Sequence, residues 1–297
     1  MIIMPSSAQQ LPNPAIRAYL GGSFNPVHNG HIQMAMAVFN QLAPIATQQK
    51  RALSVELLPN SRSPFKTDTI DPKQRLAMLK LATKNTPIAI NEIELWQAPP
   101  VFTIDTVRKL RQNFPEDTLI FIMGMDSAAS LDKWRQGLEL TDFVHLWVFN
   151  RVDETIHFAK EDANFQNAKN SENSINSENP IDKLPNALQA KVTTHLADLT
   201  HPKLDLKHLA RQPIFTFIEK SAATQPFFSL KPLKNKLNGR IYLDWSPIVA
   251  ISSSSIREQL AANSLSTVTQ PRLLTELNPT VYDYIIRHRL YSTDQFR

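Results

Sequence analysis

Short apolar runs alternate with segments of helical apolar spacing over the first half of the chain. Each run is short enough for one buried strand, and each helical segment shows apolar residues three or four positions apart. Repeated strand–helix units predict an α/β, Rossmann-like, doubly wound parallel sheet covered on both faces. The expected strands lie at 16–20, Ala52–Leu58, Ile88–Leu95, Thr118–Met123 and Val144–Phe149, and the expected helices begin near 32, at Pro72 and at Thr103.

The pattern is interrupted in the middle of the chain and then returns. Regular structure is expected again at Arg240–Leu243, followed by a helix after Ser253 and a last helix over Pro279–Tyr291. The C-terminal part therefore contributes a strand and a helical segment to the same fold.

Two regions fall outside this periodic pattern. Residues 1–14 contain three prolines and are expected to form a flexible leader, and residues 153–237 are expected to be a large insertion. Within the insertion, Glu161–Asn179 is rich in Asn, Ser, Glu and Lys and is expected to be disordered, because it carries little apolar surface to bury. The sequence thus predicts one domain built from 15–152 and 238–297.

The segment Leu20–His31 combines a strand end, a glycine turn and a helix start. Gly21 and Gly22 let the backbone turn tightly beside a ligand, and His28 and His31 follow just as helical spacing begins. The free N–H groups and the positive dipole end of a helix N-terminus attract phosphate. We therefore interpret this segment as an anion-binding site.

A second candidate site lies at Ile251–Arg257, where four serines precede an arginine. Serine hydroxyls and free N–H groups at a helix start can face phosphate oxygens, and the guanidinium can bind two oxygens at once. The simpler interpretation is structural, because Ser255 and Glu258 have the spacing of a capping box.

Composition narrows the possible partners. A net charge of +5 suits anionic substrates, while the basic residues are scattered and show no cluster interleaved with aromatics, so no nucleic-acid partner is expected. The chain has no cysteine and no apolar run long enough to span a membrane, so we expect a cytoplasmic protein without a membrane partner. The histidine pair supplies only two ligands, so no protein-held metal is expected.

These motifs resemble two signatures of the HxGH nucleotidyltransferase superfamily. The segment at Gly21–His31 resembles the first, although Asn25 stands where many members have Asp, and Ile251–Arg257 resembles the second, ISSTxIR, with Ser254 at the Thr position. Members transfer a nucleotidyl group from a nucleoside triphosphate and release pyrophosphate.

Features between the signatures resemble the bacterial nicotinate-nucleotide adenylyltransferase branch. They are Leu58-Pro59-Asn60, Pro64-Phe65-Lys66, Arg75, Phe102-Thr103, Gly124–Ser127, Trp134 and the ending Tyr284–Tyr291. The branch usually has His where this chain has Phe65, a departure that removes one phosphate contact. Membership implies ATP and nicotinate mononucleotide as substrates, with Mg²⁺ held mainly by the ATP phosphates.

The resemblance also implies roles for individual residues. His28, His31 and Arg257 would be catalytic, and Asn60, Phe102, Thr103 and Trp134 would surround the nicotinate nucleotide. The ATP and phosphate contacts would come from Gly21, Gly22, Ser23, Phe24, Lys66, Asp126, Ile251, Ser252, Ser253 and Ser254.

Other functions remain open at the level of sequence. Nicotinamide-nucleotide and pantetheine-phosphate adenylyltransferases and cytidylyltransferases share the HxGH motif. A non-catalytic nucleotide-binding relative is a further alternative, supported by Phe65 and the insertion. The sequence does not predict an oligomeric state.

Overall fold

Seven parallel strands form one sheet in the computed structural model, which describes residues 13–61, 70–150, 179–200, 237–263 and 275–291. The strands are β1 (Ile16–Gly22), β2 (Leu53–Pro59), β3 (Ala89–Ile90), β4 (Thr118–Gly124), β5 (His145–Phe149), β6 (Val192–Thr193) and β7 (Ile241–Asp244). Their order across the sheet is β3-β2-β1-β4-β5-β7-β6, and every pairing is parallel. The predicted α/β Rossmann-like fold is confirmed.

Helices cover both faces of this sheet. The helices are α1 (Asn29–Gln48), α2 (Pro72–Thr83), α3 (Thr103–Asn113), α4 (Met125–Ala128), α5 (Asn186–Gln189), α6 (Ala197–Thr200), α7 (Ser253–Asn263) and α8 (Pro279–Arg287). Short 3₁₀ helices lie at Leu131–Lys133, Gly137–Asp142 and Pro180–Lys183.

Two apolar cores lie on opposite faces of the sheet. Ile120 and Ile122 of β4 join the core that includes α1, α2, α7 and α8, whereas Phe121 and Met123 join the core with α3 and α4. Successive residues of a strand point to opposite faces, so a strand covered on both sides must be apolar throughout. This explains the continuous apolar run that predicted β4.

All strands point the same way, so their carboxyl ends share one edge of the sheet. Gly22 at the end of β1 is in register with Pro59 of β2, and Gly124 of β4 is in register with Phe149 of β5. Loops from β1, β2 and β4 therefore emerge side by side. Ligands bind at this edge in open parallel sheets.

The prediction of a strand over Ile88–Leu95 was wrong beyond its first residues. Only Ala89–Ile90 pairs with β2, after which the Asn91 side chain takes over the local hydrogen bonding. Its Oδ1 accepts the Ile93 N–H at 3.1 Å, and its amide donates to Glu56 at 2.7 Å. A side chain that bonds the backbone two residues ahead makes a turn and ends the strand.

Two predicted helices have different bounds in the structure. Helix α1 begins at Asn29, so His28 is its N-cap and His31 lies in its first turn, and α8 ends at Arg287 instead of Tyr291. Arg289 and Tyr291 both have positive φ values, 50° and 65°, which a right-handed helix cannot accommodate. The chain therefore leaves the helix and turns back toward β1.

Residues 179–200 lie in the segment predicted as an insertion, and they add strand β6 to the sheet edge. Val192 and Thr193 pair with Ile241 and Tyr242 of β7, and Leu188 and Leu199 are buried in the two cores. Most of the segment that we expected to be disordered, residues 161–178, lies outside the described residues. The same holds for residues 1–12 of the expected leader and for the candidate Lys66. Across the part of the chain that the structure describes, no helix is long and apolar enough to cross a membrane.

Candidate functional site

The turn after β1 is packed tightly around glycines and Phe24. A Cβ added to Gly21 would lie 2.5 Å from Cζ of Phe121, and one added to Gly22 would lie 3.1 Å from Cζ of Phe24. Phe24 itself is buried and has a φ of 45°, in the left-handed region that few bulky residues adopt. Ser23 and Phe24 thus sit in a fixed turn directly before the histidine motif.

The two histidines stack on each other at the start of α1. Their ring centroids are 3.7 Å apart, and the His28 backbone N–H donates to Nδ1 of His31 at 3.2 Å. Phe24 packs edge-on against His31, with ring centroids 4.9 Å apart. Because Nδ1 of His31 accepts this hydrogen bond, Nε2 carries the proton of the neutral ring.

His28 is buried, with 3% of its surface exposed, and His31 is half-buried. His28 is therefore the more deeply buried member of the pair. His28 directly precedes α1 as its N-cap, and Gly30 leaves room for the His28 ring. A Cβ at Gly30 would approach His28 Nδ1 and the Val249 carbonyl oxygen, each at 3.2 Å.

The serine-rich segment caps α7 and contacts the turn before α1. Ser252 Oγ accepts the Ser255 N–H at 3.0 Å, so Ser252 is the capping residue and the expected capping box starting at Ser255 was wrong. Ser253 Oγ donates to the Pro26 carbonyl at 2.9 Å. Ile251 is buried and anchors the segment in the core.

Arg257 connects the two motifs directly. Its Nη1 donates to the Asn25 carbonyl at 2.7 Å, and its Nη2 donates to Ser254 Oγ at 3.2 Å. The N-termini of α1 and α7 are thereby joined across the Asn25-Pro26 turn, although 232 residues separate Arg257 from Asn25 in sequence. Two helix N-termini and a guanidinium in one place form a strong anion-binding arrangement.

Residues expected to bind the mononucleotide come from loops at the same sheet edge. The Asn60 N–H donates to the Gly22 carbonyl at 3.1 Å, which places Asn60 beside the glycine turn. Phe102 precedes α3 as its N-cap without a capping side-chain hydrogen bond, and Thr103 is the first helical residue. The Arg135 guanidinium lies 4.6 Å from the centre of the Phe102 ring.

Asp126 and Trp134 follow β4. Asp126 is exposed in the first turn of α4, and Trp134 is half-buried against the core that contains α3. Helices α3 and α4 lie on the sheet face opposite α1 and α7. The predicted site residues therefore divide between the two faces and converge on the carboxyl edge from both sides.

Two residues that contact this site belong to the features that carried the family resemblance, but the sequence assigned neither of them a role. Arg75 in α2 is completely buried and donates to backbone carbonyls of Ser23, Asn60 and Ser61. Tyr291 is also completely buried, and its hydroxyl donates to Asn25 Oδ1 at 2.8 Å. The sequence did contain a signal for Arg75, because it lies in phase with the buried stripe of Met78, Leu79 and Ala82.

Burial governs the titration of the ionisable groups around the site. It lowers the pKa of the Arg75 guanidinium and raises the pKa of the Tyr291 hydroxyl, which the neighbouring charges of Arg257 and Arg75 partly oppose. Burial also raises the pKa of Glu94, which is hydrogen-bonded with Thr106 one turn into α3. Within the described ranges, no group of three or more His, Cys, Asp or Glu side chains could hold a metal ion.

Known proteins match this chain over most of its length. The family model described as Cytidylyltransferase-like matches residues 19–259. Proteins from Aeromonas salmonicida and Pseudoalteromonas atlantica, both named "Probable nicotinate-nucleotide adenylyltransferase", are 37% and 30% identical to the chain. The alignments cover 93% of this chain and 96% of the first relative, and 94% of this chain and 95% of the second.

A solved structure shares the fold at lower sequence similarity. Plasmodium falciparum nicotinic acid mononucleotide adenylyltransferase, complexed with NaAD, superimposes with a TM-score of 0.55 at 15% identity. The match covers 93% of this chain and 97% of that chain.

Proposed function

The chain belongs to the cytidylyltransferase-like family, and we propose that it is the nucleotidyltransferase that joins ATP to nicotinate mononucleotide. The products are nicotinate adenine dinucleotide and pyrophosphate, which places the enzyme in NAD biosynthesis. The observation that carries this proposal is the junction of the α1 and α7 N-termini through Arg257 and Ser253. The relatives that match over almost their whole length are named for this activity.

The reaction is a single in-line displacement. A phosphate oxygen of the mononucleotide attacks the α-phosphorus of ATP, the bond from that phosphorus to the bridging oxygen breaks, and pyrophosphate leaves with the electron pair. No side chain needs to act as a nucleophile. The protein must align the two phosphates and stabilise the charge that develops on the pyrophosphate.

We assign the ATP phosphates to the N-termini of α1 and α7. His31 would donate from Nε2, His28 would act on the phosphates with it as the other member of the stacked pair, and Arg257 and the hydroxyls of Ser252, Ser253 and Ser254 would surround the phosphate oxygens. The Asp126 carboxylate would accept hydrogen bonds from hydroxyl groups of the nucleotide. Lys66, outside the described residues, is retained as a proposed phosphate contact.

The mononucleotide would bind between Asn60 and the start of α3. The N–H groups at Thr103 and the positive dipole end of α3 favour the nicotinate carboxylate, and Trp134 and Phe102 offer aromatic surface to the ring. Burial raises the pKa of Glu94, whose side chain is hydrogen-bonded with Thr106 in α3.

Mg²⁺ fits this site as a companion of ATP. The donors at the two helix starts are imidazole, hydroxyl, guanidinium and backbone N–H groups, which suit phosphate oxygens better than a hard cation. When bound, the ion neutralises charge on the triphosphate, and phosphate oxygens and water supply most of its ligands. The cytoplasmic location expected from the sequence stays a prediction.

A substrate panel with product identification tests the proposed function. The purified full chain is incubated with ATP and Mg²⁺ and with nicotinate mononucleotide, nicotinamide mononucleotide or phosphopantetheine in turn, and CTP replaces ATP in parallel reactions. We expect pyrophosphate release with ATP and nicotinate mononucleotide, and mass spectrometry should identify nicotinate adenine dinucleotide. Faster turnover of another pair would assign the enzyme to that branch, and binding of ATP without turnover of any pair would indicate a non-catalytic relative.

A further inference from the structure

Arg75 lies beneath the site, and none of its surface is exposed. It belongs to α2, which follows β2, and occupies a position in the buried stripe of that helix. Its guanidinium reaches the backbone of two different loops at the carboxyl edge of the sheet. A buried charge is costly unless it is compensated, so its hydrogen bonds decide whether the residue is tolerated there.

The hydrogen bonds of Arg75 all go to main-chain carbonyls. Nη1 donates to the Ser23 carbonyl at 2.8 Å and to the Asn60 carbonyl at 2.8 Å, and Nη2 donates to the Ser61 carbonyl at 2.6 Å. Among the described residues, no carboxylate lies within 4.0 Å of the guanidinium, and Nε has no hydrogen-bond partner. The guanidinium is therefore held by loop carbonyls, and the charge of Asp71 acts on it from beyond that distance.

The two loops belong to the two proposed substrate sites, one for ATP and one for the mononucleotide. Ser23 lies in the turn between Gly22 and the histidines, where ATP phosphates are proposed to bind. Asn60 lies where the mononucleotide is proposed to bind. One buried guanidinium thus bonds the backbone of both loops.

We propose that Arg75 is a positioning residue that holds the ATP loop and the mononucleotide loop at the separation needed for in-line attack. This inference rests on the proposed function for the identity of the substrates, whereas the linkage between the loops does not depend on it. Lysine cannot replace arginine here, because a single ammonium group cannot span three carbonyls in a planar fork.

The test compares Arg75→Lys, which keeps the charge, with Arg75→Met, which removes it. Arg111→Lys is the matched control. Arg111 is also buried and donates only to main-chain carbonyls, from Phe143, Phe114, Pro115 and Asp117, but it lies near the start of β4, at the opposite edge of the sheet. All three variants lose hydrogen bonds of a buried arginine, and only two of them lose the link between the loops.

The first measurement is amide hydrogen exchange, which needs no substrate. We expect Arg75→Lys and Arg75→Met to accelerate exchange in residues 21–25 and 60–61 together, and Arg111→Lys to leave both loops unchanged. Unchanged exchange in either loop of the Arg75 variants would overturn the proposal, whichever substrates the enzyme uses.

The second measurement is steady-state kinetics with the substrate pair that the wild-type enzyme turns over best. Small displacements of reacting groups reduce rates by about tenfold to a hundredfold. We expect kcat/KM to fall by at least about tenfold for both substrates in Arg75→Lys and Arg75→Met, with kcat contributing to the loss. Near-normal kinetics in Arg75→Lys would show that only the charge matters, and a loss equal to that of Arg111→Lys would show a purely structural role; either result refutes the proposal.

Discussion

The hydroxyl of Tyr291 donates a hydrogen bond to Oδ1 of Asn25 at 2.8 Å, across 266 residues of sequence. Both side chains are buried, and Asn25 precedes the histidine motif. The segment after α8 therefore supports the turn from below, while Arg257 holds the Asn25 carbonyl from the α7 side. The turn that carries His28 is held by two parts of the chain that are remote in sequence.

Replacement of Tyr291 by Phe should weaken this support while preserving the packing of the ring. Loss of a buried hydrogen bond should lower the free energy of unfolding by about 1–3 kcal/mol, because Asn25 Oδ1 loses this donor inside the protein. Urea denaturation measures this change. Tyr284→Phe is the control, because the Tyr284 hydroxyl bonds Gln74 at 2.5 Å and is only half-buried. Equal stability losses in the two variants would contradict the prediction.

Substitutions at His31 can separate its capping role from its proposed catalytic role. In His31→Asn the amide oxygen can take the place of Nδ1 and accept the His28 N–H, but the Nε2 donor is lost. We expect normal folding and a kcat lower by about two to four orders of magnitude, typical for loss of a transition-state donor. Circular dichroism and initial rates measure both effects.

In His31→Gln the amide can reach the Nε2 position but not the Nδ1 position. The proposed donor is therefore kept, and the acceptor for the His28 N–H is lost. This variant should retain more activity than His31→Asn and lose more helix stability.

His28→Ala should also lower kcat by about two to four orders of magnitude. Because His28 is buried, this variant should in addition lose stability through the cavity that it leaves. Near-normal turnover in both His28→Ala and His31→Asn would exclude the proposed roles of the histidines.

Nicotinate mononucleotide should be preferred over nicotinamide mononucleotide. At the start of α3, N–H donors can bind both oxygens of a carboxylate, whereas an amide turns its NH₂ group toward one of them. A mismatched polar group in a closed pocket costs roughly 1–3 kcal/mol, which corresponds to at least about tenfold in kcat/KM. The comparison uses both mononucleotides with ATP and Mg²⁺. Equal values, or a preference for the amide, would assign the site to a nicotinamide nucleotide.

Acid should destabilise the fold through His145. Burial, together with Arg111 and Arg240, lowers the pKa of His145 to about 4, and its Nδ1 accepts the Arg240 N–H at 3.0 Å. Below pH about 6.5 the His145 side chain binds a proton in the unfolded chain but not in the folded chain. The free energy of unfolding therefore falls as the pH drops toward 4. This group alone should remove about 2 kcal/mol between pH 7 and pH 5.

The variant His145→Asn isolates this contribution, because its amide oxygen can take the place of Nδ1 and accept the same backbone N–H without titrating. Burial raises the pKa of Glu94, so this group makes the folded protein more stable as the pH falls. The effect is the same in the wild-type protein and in the variant, and it therefore cancels in the difference between their free energies of unfolding. Urea denaturation at several pH values should show a smaller acid loss in the variant. The same pH dependence in both proteins would refute the assignment.

Local patterns in the sequence predicted most elements of the fold. Thr118–Met123 reads as a strand because it is buried on both faces, and Thr103–Phe114 as a helix because Ile104, Val107 and Leu110 lie on one side. The family, the fold and the nucleotidyltransferase activity were predicted correctly for the same reason. Backbone turns and helix starts that bind phosphate require particular residues within a few positions of one another, so their pattern is visible in one dimension.

Relationships between distant segments were decided only by the tertiary structure. The sequence could not show that Tyr291 leaves α8 to reach Asn25, or that Val192–Thr193 adds a seventh strand beside β7. Arg75 is an ordinary cation in the sequence and a buried link between two loops in the fold. Hydrophobic periodicity reports only which side of an element is buried; the partner of a side chain depends on how the elements pack. Local motifs therefore carried the family resemblance that implied the reaction, whereas packing across the sheet decided which distant residues hold the site together.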